Sequence, residues 1–509
     1  MFEIGVVGGG ASAVCLLDAL AQADSAPGGL TVFEPAADLW RGRPFQHDME
    51  TVRVNAPPAD MSVRFGDTRH FERWLGTRDV VAGAEASYED GFCGARFVPR
   101  SVFGDYLDDS AGAALVRLLE RGWRISVIRE CVASAAPVMH GMELQTERGT
   151  RVTVDYTVLC VGVGRPADIY SLAGHPGFIP EPYPVFRTLA GVNTEDEVGV
   201  LGSGLTGVDA VLTLAARGHQ GRIRLMSRRG VLPGVRQRPV PYTLQHFTPA
   251  RFRAAAARGE ALSLKQLIAV MRVELAAAGE DPSSITDELA ALQYENPVRR
   301  LRRHLAEVDS PRLALRILQR AVPDTGPDVW PLLPEREKSD LLRSHYRAVM
   351  SLCCPMPPTS AATLLGLIDS GQLEIVSGLR HIEPRSSGGF VITSDSGECA
   401  SDIVVNAVSP PAHKVPARAA PLMSSLITAK VADRHPRGGL RVDRPTSQVT
   451  ASGAANPALY ALGDLASGSL FFTFGVPSLA DRAYDIATAL LDDARTNQTS
   501  QVVHALQSV

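Results

Sequence analysis

EIGVVGGGASA, residues 3–13, is a run of apolar residues that leads into three glycines and the start of a predicted helix. EVGVLGSGLTG, residues 197–207, repeats this arrangement near the middle of the chain. A buried strand, a glycine-rich turn and a helix in this order are typical of Rossmann-like units that bind dinucleotides. One such match is weak evidence, but two in one chain predict two dinucleotide sites.

The bulk composition is that of an ordinary globular protein, with 45% hydrophobic and 21% charged residues in a chain of 509. This length predicts two or three domains. The net charge of −4 implies no large basic surface for nucleic acid. No apolar run reaches the roughly 18 residues of a membrane span, and a strand predicted at 2–7 leaves no room for a signal peptide. We therefore expect a cytoplasmic protein that binds neither nucleic acid nor membrane.

Apolar periodicity extends each fingerprint into a complete strand–helix–strand unit. The predicted elements are a helix at 11–23 and a strand at 30–34, a helix at 205–217 and a strand at 223–226, a helix at 101–121, strands at 152–161, 389–394 and 402–407, a helix and a strand within 360–378, and a last helix at 477–492. Residues 250–350 are rich in Ala, Leu and Arg with few turn signals, and predict several helices. The predicted fold class is α/β, with two Rossmann-like dinucleotide-binding domains and a helical insertion.

The first fingerprint carries the residues of an ADP-ribose site. Gly8 permits a sharp turn, and Gly10 lets the backbone approach a pyrophosphate at the helix N-terminus, which Ala11 and Ser12 begin. Glu34 ends the second strand, where an acid accepts hydrogen bonds from ribose hydroxyls and disfavours a 2′-phosphate. The pattern predicts FAD or NAD at this site, and disfavours NADP.

The second fingerprint has the complete glycine pattern and predicts a second pyrophosphate site. Its candidate binding residues are Gly202, Gly204, Leu205, Thr206 and Gly207.

The strand of the second unit ends differently from that of the first. It leads into Ser227, Arg228 and Arg229 where the first unit has an acid. A hydroxyl and two guanidinium groups suit a phosphate dianion. This predicts NADPH, and the alternative is a solvated basic turn.

A third motif near the C-terminus, LYALGD at 459–464, ends in Gly463 and Asp464. Such a run is a common turn by itself, but an acid at a strand end can bind the ribityl or pyrophosphate region of a flavin. The helix predicted to begin near Pro477 would direct its positive N-terminus at the flavin ring. Together with the N-terminal ADP-ribose site, the motif favours FAD over NAD.

These motifs divide the chain into domains. We expect a discontinuous FAD-binding domain at 1–165 and 410–495, an NADPH-binding domain at 190–409 that includes the helical insertion at about 245–350, and a flexible tail at 496–509. Cysteines have neither C-x-x-C nor zinc-site spacing, so no metal site is predicted. The adjacent Cys353 and Cys354 are expected to be free thiols, with a vicinal disulfide as the alternative.

Residues 1–240 and 455–490 resemble the two-dinucleotide flavoproteins, which include flavin-containing and N-hydroxylating monooxygenases and pyridine nucleotide-disulfide reductases. Several segments resemble a bacterial FAD/NAD(P)-binding family whose members include amino-acid N-monooxygenases of natural-product pathways. These segments are 55–62, 70–75, 97–106, 201–209, 218–219 and 227–233. The resemblance implies FAD, NADPH and O2 as reactants. It also implies that Met61 belongs to the cofactor-binding site.

The segment at 54–57 also resembles the stretch in which flavin monooxygenases hold an asparagine beside the flavin C4a. Asn55 is therefore a candidate catalytic residue, whose amide would bond a C4a-hydroperoxide or the nicotinamide. The alternative is an asparagine that stabilises its own loop. Gln46 and His47 precede it and are further catalytic candidates, although a lone histidine is more often structural.

Two departures narrow the resemblance. The linker signature associated with Baeyer–Villiger monooxygenases is not clearly present, and no cysteine pair of disulfide-reductase type follows the first fingerprint. The resulting hypothesis is a monooxygenase that consumes NADPH and N-oxygenates an amino acid or related small amine through a C4a-(hydro)peroxyflavin. The alternatives are an oxidoreductase that inserts no oxygen, and a redox-sensing flavoprotein without enzymatic activity.

Overall fold

A computed structural model of the chain describes residues 2–82, 88–410 and 415–507. Its centre is two mainly parallel sheets, one for each fingerprint, so the predicted α/β class with two Rossmann-like units is confirmed.

The larger sheet contains the first fingerprint and the C-terminal motif. Its strands are, in spatial order, β16 (Gln448–Ala451), β17 (Ala454–Ala461), β7 (Tyr156–Leu159), β1 (Glu3–Val7), β2 (Gly29–Phe33) and β3 (Arg124–Ile128). β1 pairs in parallel with both β2 and β7, and β17 pairs in parallel with β7. The carboxyl ends of β1 and β17 therefore meet at one edge, which brings the two motifs together although they are far apart in sequence.

The smaller parallel sheet contains the second fingerprint. Its strands are, in spatial order, β11 (Leu373–Val376), β10 (Ile223–Met226), β9 (Val198–Leu201), β15 (Ile403–Asn406) and β8 (Phe178–Ile179). The two sheets divide the strands as the predicted domains do, except that β8 lies between the predicted ranges; the domain bounds themselves stay predictions.

Each unit also carries a three-stranded antiparallel sheet that the sequence analysis did not predict. The first consists of β4 (Val132–Pro137), β5 (Met142–Thr146) and β6 (Arg151–Val154), and the second of β12 (His381–Pro384), β13 (Phe390–Ser394) and β14 (Gly397–Ser401). In each unit, the last antiparallel strand is followed at once by a strand of the parallel sheet.

The strand predicted at 152–161 is wrong as a single element, because β6 and β7 belong to different sheets. Asp155 marks the break: its backbone N–H donates to the Glu3 carbonyl (2.8 Å), and its carboxylate accepts from the Glu3 N–H (2.7 Å). Asp402 makes the same two bonds with Glu197 before β15, both at 2.8 Å. An apolar run predicts extended backbone but does not reveal a change of sheet, which these long-range bonds impose.

The helices pack around the sheets and form the insertion. They are α1 (Ala11–Gln22), α2 (His70–Ala82), α3 (Arg100–Glu120), α4 (Val185–Thr188), α5 (Leu205–Ala216), α6 (Pro249–Ala257), α7 (Leu264–Ala277), α8 (Ser284–Tyr294), α9 (Pro297–Ala306), α10 (Ala314–Val329), α11 (Glu335–Ser344), α12 (Tyr346–Cys353), α13 (Pro358–Asp369), α14 (Ala420–Thr428), α15 (Ser467–Leu470) and α16 (Val476–Gln507). Helices α6 to α12 make up the predicted insertion. Part of it has its own core, which includes Phe252, Leu267 and Trp330.

The last helix is longer than predicted. α16 continues to Gln507, whereas the sequence pattern ends it near residue 492. No glycine or proline follows residue 492 to stop the helix, and Arg495 forms an ion pair with Asp492 one turn before it. The flexibility of the tail stays a prediction. Among the described residues, no helix has the length and apolar character needed to cross a bilayer.

Candidate functional site

The glycines that end β1 and β9 adopt the same unusual backbone. Gly8 has φ +106° and Gly202 has φ +110°. A Cβ at Gly8 would lie 2.5 Å from the Cys160 carbonyl oxygen, and one at Gly202 would lie 2.7 Å from that of Ala407. Only glycine fits these turns, which fold the chain sharply from strand to helix. The second fingerprint is therefore a structural repeat of the first.

Both turns present a helix N-terminus without a side-chain cap. Gly10 caps α1 and Gly204 caps α5, and neither helix start receives a hydrogen bond from a side chain. The first N–H groups of a helix have no partner within the helix, and its dipole favours negative charge there. A Cβ at Gly204 would meet no atom within 4 Å, so the space beside it is open. The geometry suits a pyrophosphate at each turn.

A cavity of about 1740 Å³ opens at the carboxyl edge of the larger sheet. Most residues predicted for the first site line it: Gly8, Gly10, Ala11, Ser12, Glu34, Gln46, Asn55, Met61, Gly463 and Asp464. His47 does not, and its side chain is exposed to solvent. The residues of the second fingerprint lie outside this cavity as well.

Glu34 is held in place by the backbone of the first unit. Its carboxylate accepts hydrogen bonds from the N–H groups of Gly9 and Ala36, each at 2.8 Å. A carboxylate has about four acceptor positions, so two bonds leave it free to accept more. Glu34 therefore fits the expected role of binding ribose hydroxyls.

The C-terminal motif packs directly on the first fingerprint. Gly463 has φ +88°, and a Cβ there would lie 3.0 Å from Ser12 Oγ. The following residue, Asp464, lines the cavity, and burial raises the pKa of its carboxyl to about 6. A desolvated carboxylate of this kind gains from hydroxyl donors, which a ribityl chain would provide. Residues 475–477, at the N-terminus of α16, line the same cavity, as the flavin prediction requires.

A basic cluster, formed by Arg228, Arg229 and Arg347, follows β10 in the second unit. The Ser227 hydroxyl is bonded to Ser203 Oγ and to the Gly230 N–H, each at 2.9 Å, so it shapes the turn. Arg228 and Arg229 are exposed. Burial, together with the charges of these two arginines, lowers the pKa of Arg347 on α12.

Within the described ranges, none of the three arginines of this cluster forms an ion pair. The cluster is thus available to an anion such as a 2′-phosphate. Arg347 escaped sequence reasoning because it comes from the insertion, which has no recognisable motif.

The insertion supplies one wall of the cavity. α10 contributes Arg316, Gln319, Arg320, Pro323 and Asp324. Arg320 is paired with Asp324 at 2.5 Å and with Asp60 of the first unit at 3.5 Å. Insertion and first unit therefore enclose the same space.

Asn55 lies where the first unit meets the two segments that flank the insertion. Its Nδ2 donates to the Pro355 carbonyl over a long 3.4 Å, and its backbone carbonyl accepts from Arg236 Nη2 at 2.9 Å. The amide thus has one weak bond to its surroundings, and its side chain lines the cavity. Cys353 and Cys354 also line the cavity and are free thiols, which agrees with the prediction.

A buried ion pair joins the two units beside the cavity. Arg100 Nη2 on α3 lies 2.7 Å from Asp209 Oδ2 on α5, and Arg100 Nη1 donates to Tyr183 Oη at 2.9 Å. Breaking such a pair leaves an uncompensated buried charge, so it stabilises one relative placement of the two fingerprints.

Comparisons with known proteins agree with this architecture. Residues 5–164 match a family described as FAD-NAD(P)-binding. The ornithine N-hydroxylase of Kutzneria sp. 744, solved with reduced FAD, NADP+ and L-ornithine, is 14% identical with a TM-score of 0.56, over 97% of this chain and 100% of that one. The L-lysine 6-monooxygenase of Pseudomonas syringae is 16% identical with a TM-score of 0.55, over 96% and 99%.

A third solved structure is the FAD-bound cadaverine monooxygenase of desferrioxamine biosynthesis from Erwinia amylovora. It is 12% identical with a TM-score of 0.59, over 96% of this chain and 94% of that one. At these identities the similarity establishes the shared fold over nearly the whole chain. No curated protein matches the chain in sequence.

Proposed function

We propose that this protein is a monooxygenase that uses FAD, NADPH and O2 to N-oxygenate an amino acid or a related small amine. One observation carries the proposal: a single cavity is lined by the residues of the first fingerprint, by Asp464 and Asn55, and by a wall of the helical insertion. Solved structures with the same fold include N-oxygenating enzymes for ornithine, lysine and cadaverine.

The residues present fit FAD in the first unit and NADPH in the second. The N-terminus of α1 would hold the pyrophosphate, Glu34 the adenosine ribose, and Asp464 the ribityl hydroxyls. In the second unit, the N-terminus of α5 and the exposed Arg228 and Arg229 would hold NADPH. When bound, reduced FAD and O2 supply the oxygen atom that is transferred.

The balanced reaction is R–NH2 + O2 + NADPH + H+ → R–NHOH + NADP+ + H2O. The amine reacts only in its uncharged form, so the site must accept a proton from the substrate ammonium. Asp324 is a candidate acceptor, since it lines the cavity and burial raises the pKa of its carboxyl. The insertion wall would exclude water during transfer, and the Asn55 amide would orient the reacting groups.

The test is a screen of NADPH oxidation over amino acids and small amines, with oxygen uptake and product mass measured together. A product heavier by one or two oxygen atoms supports the proposal. NADPH consumption that yields a reduced product without added oxygen would replace it by an oxidoreductase function. Flavin reduction that takes minutes or longer with every compound would favour a redox-sensing protein.

We expect the purified protein to carry FAD and not FMN. Glu34 and the α1 N-terminus are arranged for an ADP-ribose, which FMN lacks. The flavin is released by heat and compared with FAD and FMN standards on a column. FMN as the sole flavin would overturn the assignment of the first unit.

Asp464→Asn should stabilise the FAD-free protein and weaken FAD binding. The folded-state pKa of the Asp464 carboxyl, about 6, lies above the ordinary 3.8. The neutral carboxyl therefore favours the folded state at low pH, and this contribution to stability is lost as pH rises through 6. At pH 8 the buried charge costs up to about 3 kcal/mol, which asparagine avoids. Asparagine is also a weaker acceptor for ribityl hydroxyls than a carboxylate.

Denaturant unfolding of the FAD-free proteins at low and high pH, with FAD titrations, measures both effects. The stability difference between Asp464→Asn and wild type should be large at pH 8 and should shrink below pH 5. A variant with wild-type stability at pH 8 and wild-type FAD affinity would contradict the role of Asp464.

A further inference from the structure

Arg236 is a partly buried arginine at the wall of the cavity. It lies in the irregular segment between β10 and α6, where Val235 bridges Met356 and the Arg236 N–H donates to the Met356 carbonyl at 2.9 Å. This pairing fixes the backbone and directs the side chain into the space beside Asn55. Arg236 lines the cavity and is only partly exposed.

The Arg236 side chain has unused hydrogen-bonding capacity. Nη2 donates to the Asn55 carbonyl at 2.9 Å and Nη1 to Gln319 Oε1 at 3.3 Å. Nε is buried without a hydrogen-bond partner. A guanidinium has five N–H donors, so one N–H on each of Nη1 and Nη2 remains without a partner, in addition to the buried Nε–H.

Arg236 also lacks a counter-ion. Several other arginines at the cavity are paired, namely Arg43 with Glu181, Arg100 with Asp209, and Arg320 with Asp324, whereas Arg316 donates to backbone carbonyls. Arg236 has no carboxylate within ion-pair distance in the part of the chain that the structure describes.

Burial lowers the pKa of Arg236, and the more distant Asp60 only partly offsets that effect. An unpaired buried charge is costly, and a bound anion would remove the cost.

We propose that Arg236 is the receptor for a substrate carboxylate, so that the substrate is an amino acid and not a simple amine or a diamine. The inference rests on the proposed function and makes its substrate class narrower. A planar guanidinium binds a carboxylate through paired charge-assisted hydrogen bonds. The ammonium of a diamine would meet only repulsion at this position.

The placement of Arg236 also sets the orientation of the substrate. Because Arg236 Nη2 is bonded to the Asn55 backbone carbonyl, a carboxylate on the guanidinium would lie close to Asn55. The rest of the substrate would then occupy the cavity that Gln319 and Arg320 also line. Discrimination between an amino acid and its decarboxylated amine thus depends on one side chain.

The test is ligand binding to the oxidised FAD-bound protein, followed by the change in flavin absorbance without NADPH. The probes are the proteinogenic amino acids and ornithine, each compared with the amine that remains after loss of its α-carboxylate. At least one amino acid should bind wild type about tenfold or more tightly than its amine. Arg236→Met should abolish this preference, because it weakens binding of the amino acid and leaves binding of the amine unchanged.

Arg316→Met is the matched control, because Arg316 lines the same cavity but donates to backbone carbonyls. It should keep the preference for the amino acid. If Arg236→Met does not retain flavin, Arg236→Lys is tested in its place, because lysine keeps the charge but lacks the planar fork. This variant should bind the amino acid more weakly than wild type and should bind the amine with unchanged affinity.

The proposal is overturned if amines bind wild type as tightly as the amino acids, if no probe binds, or if the Arg236 variants keep the preference. If Arg316→Met also loses the preference for the amino acid, the preference is due to the general positive charge of the cavity, and the proposal is again overturned. Oxygen insertion does not enter this measurement. The proposal that Arg236 binds a carboxylate can therefore be rejected while the proposed oxygenase function is kept, and the oxygenase function can be rejected while the carboxylate site is kept.

Discussion

Replacing both Arg228 and Arg229 by alanine is expected to raise the NADPH concentration for half-maximal flavin reduction about 100-fold and to leave NADH nearly unchanged. The two guanidiniums follow β10 at the place where a 2′-phosphate would lie, and both are exposed without an ion-pair partner in the described chain. Loss of about 1.4 kcal/mol for each arginine accounts for the size of the effect. Stopped-flow reduction of the flavin by each nucleotide measures it.

Arg222→Ala is a suitable control, because Arg222 is exposed at the opposite end of β10. It removes the same charge just before β10, away from the predicted phosphate site after the strand, so it should leave the preference for NADPH intact. If the double variant treats NADPH and NADH as wild type does, the phosphate binds elsewhere and the basic cluster is a solvated turn.

Asn55→Ala is expected to lower the amount of product formed per NADPH consumed by roughly five- to 100-fold. The amide lines the cavity with one weak hydrogen bond, so it is free to bind the reacting groups during oxygen transfer. Binding of FAD and hydride transfer from NADPH should persist, because the groups assigned to them lie elsewhere. The lost product should appear as hydrogen peroxide.

Product, peroxide and NADPH measured in one reaction test this expectation. A loop-stabilising role predicts the other pattern, in which melting temperature or flavin content falls and product per NADPH is unchanged. Asn193→Ala, in an exposed turn where Asn193 bonds Asp196, should change none of these quantities. Wild-type coupling in Asn55→Ala would exclude the catalytic role.

Most of the fold could be predicted from the sequence because its signals are local. The turns at Gly8 and Gly202 require positive φ, and that requirement can be recognised from the glycine pattern alone. The insertion was recognised from composition. The break at Asp155 was not, since the choice between two sheets depends on bonds to Glu3, about 150 residues away in sequence.

The candidate site was recognisable only where a motif carries it. Glu34 and Asp464 follow strands at fixed distances from glycines, so their place at the sheet edge can be predicted before the structure is known. His47 has no such constraint: it neighbours Gln46 in sequence, yet the structure leaves it exposed while Gln46 lines the cavity. Sequence proximity does not determine the direction of a side chain in an irregular loop.

The sequence alone determined two Rossmann-like units with a helical insertion, and it predicted the residues of two dinucleotide sites. Only the tertiary structure decided what closes the cavity and how Arg236 is placed beside Asn55, 181 residues away in the chain. The reason is physical. A fingerprint meets local requirements of backbone sterics and anion binding, so it leaves a local pattern. The lack of an ion-pair partner for Arg236 depends instead on where the acids of the described chain lie. That absence exists only once distant segments have packed.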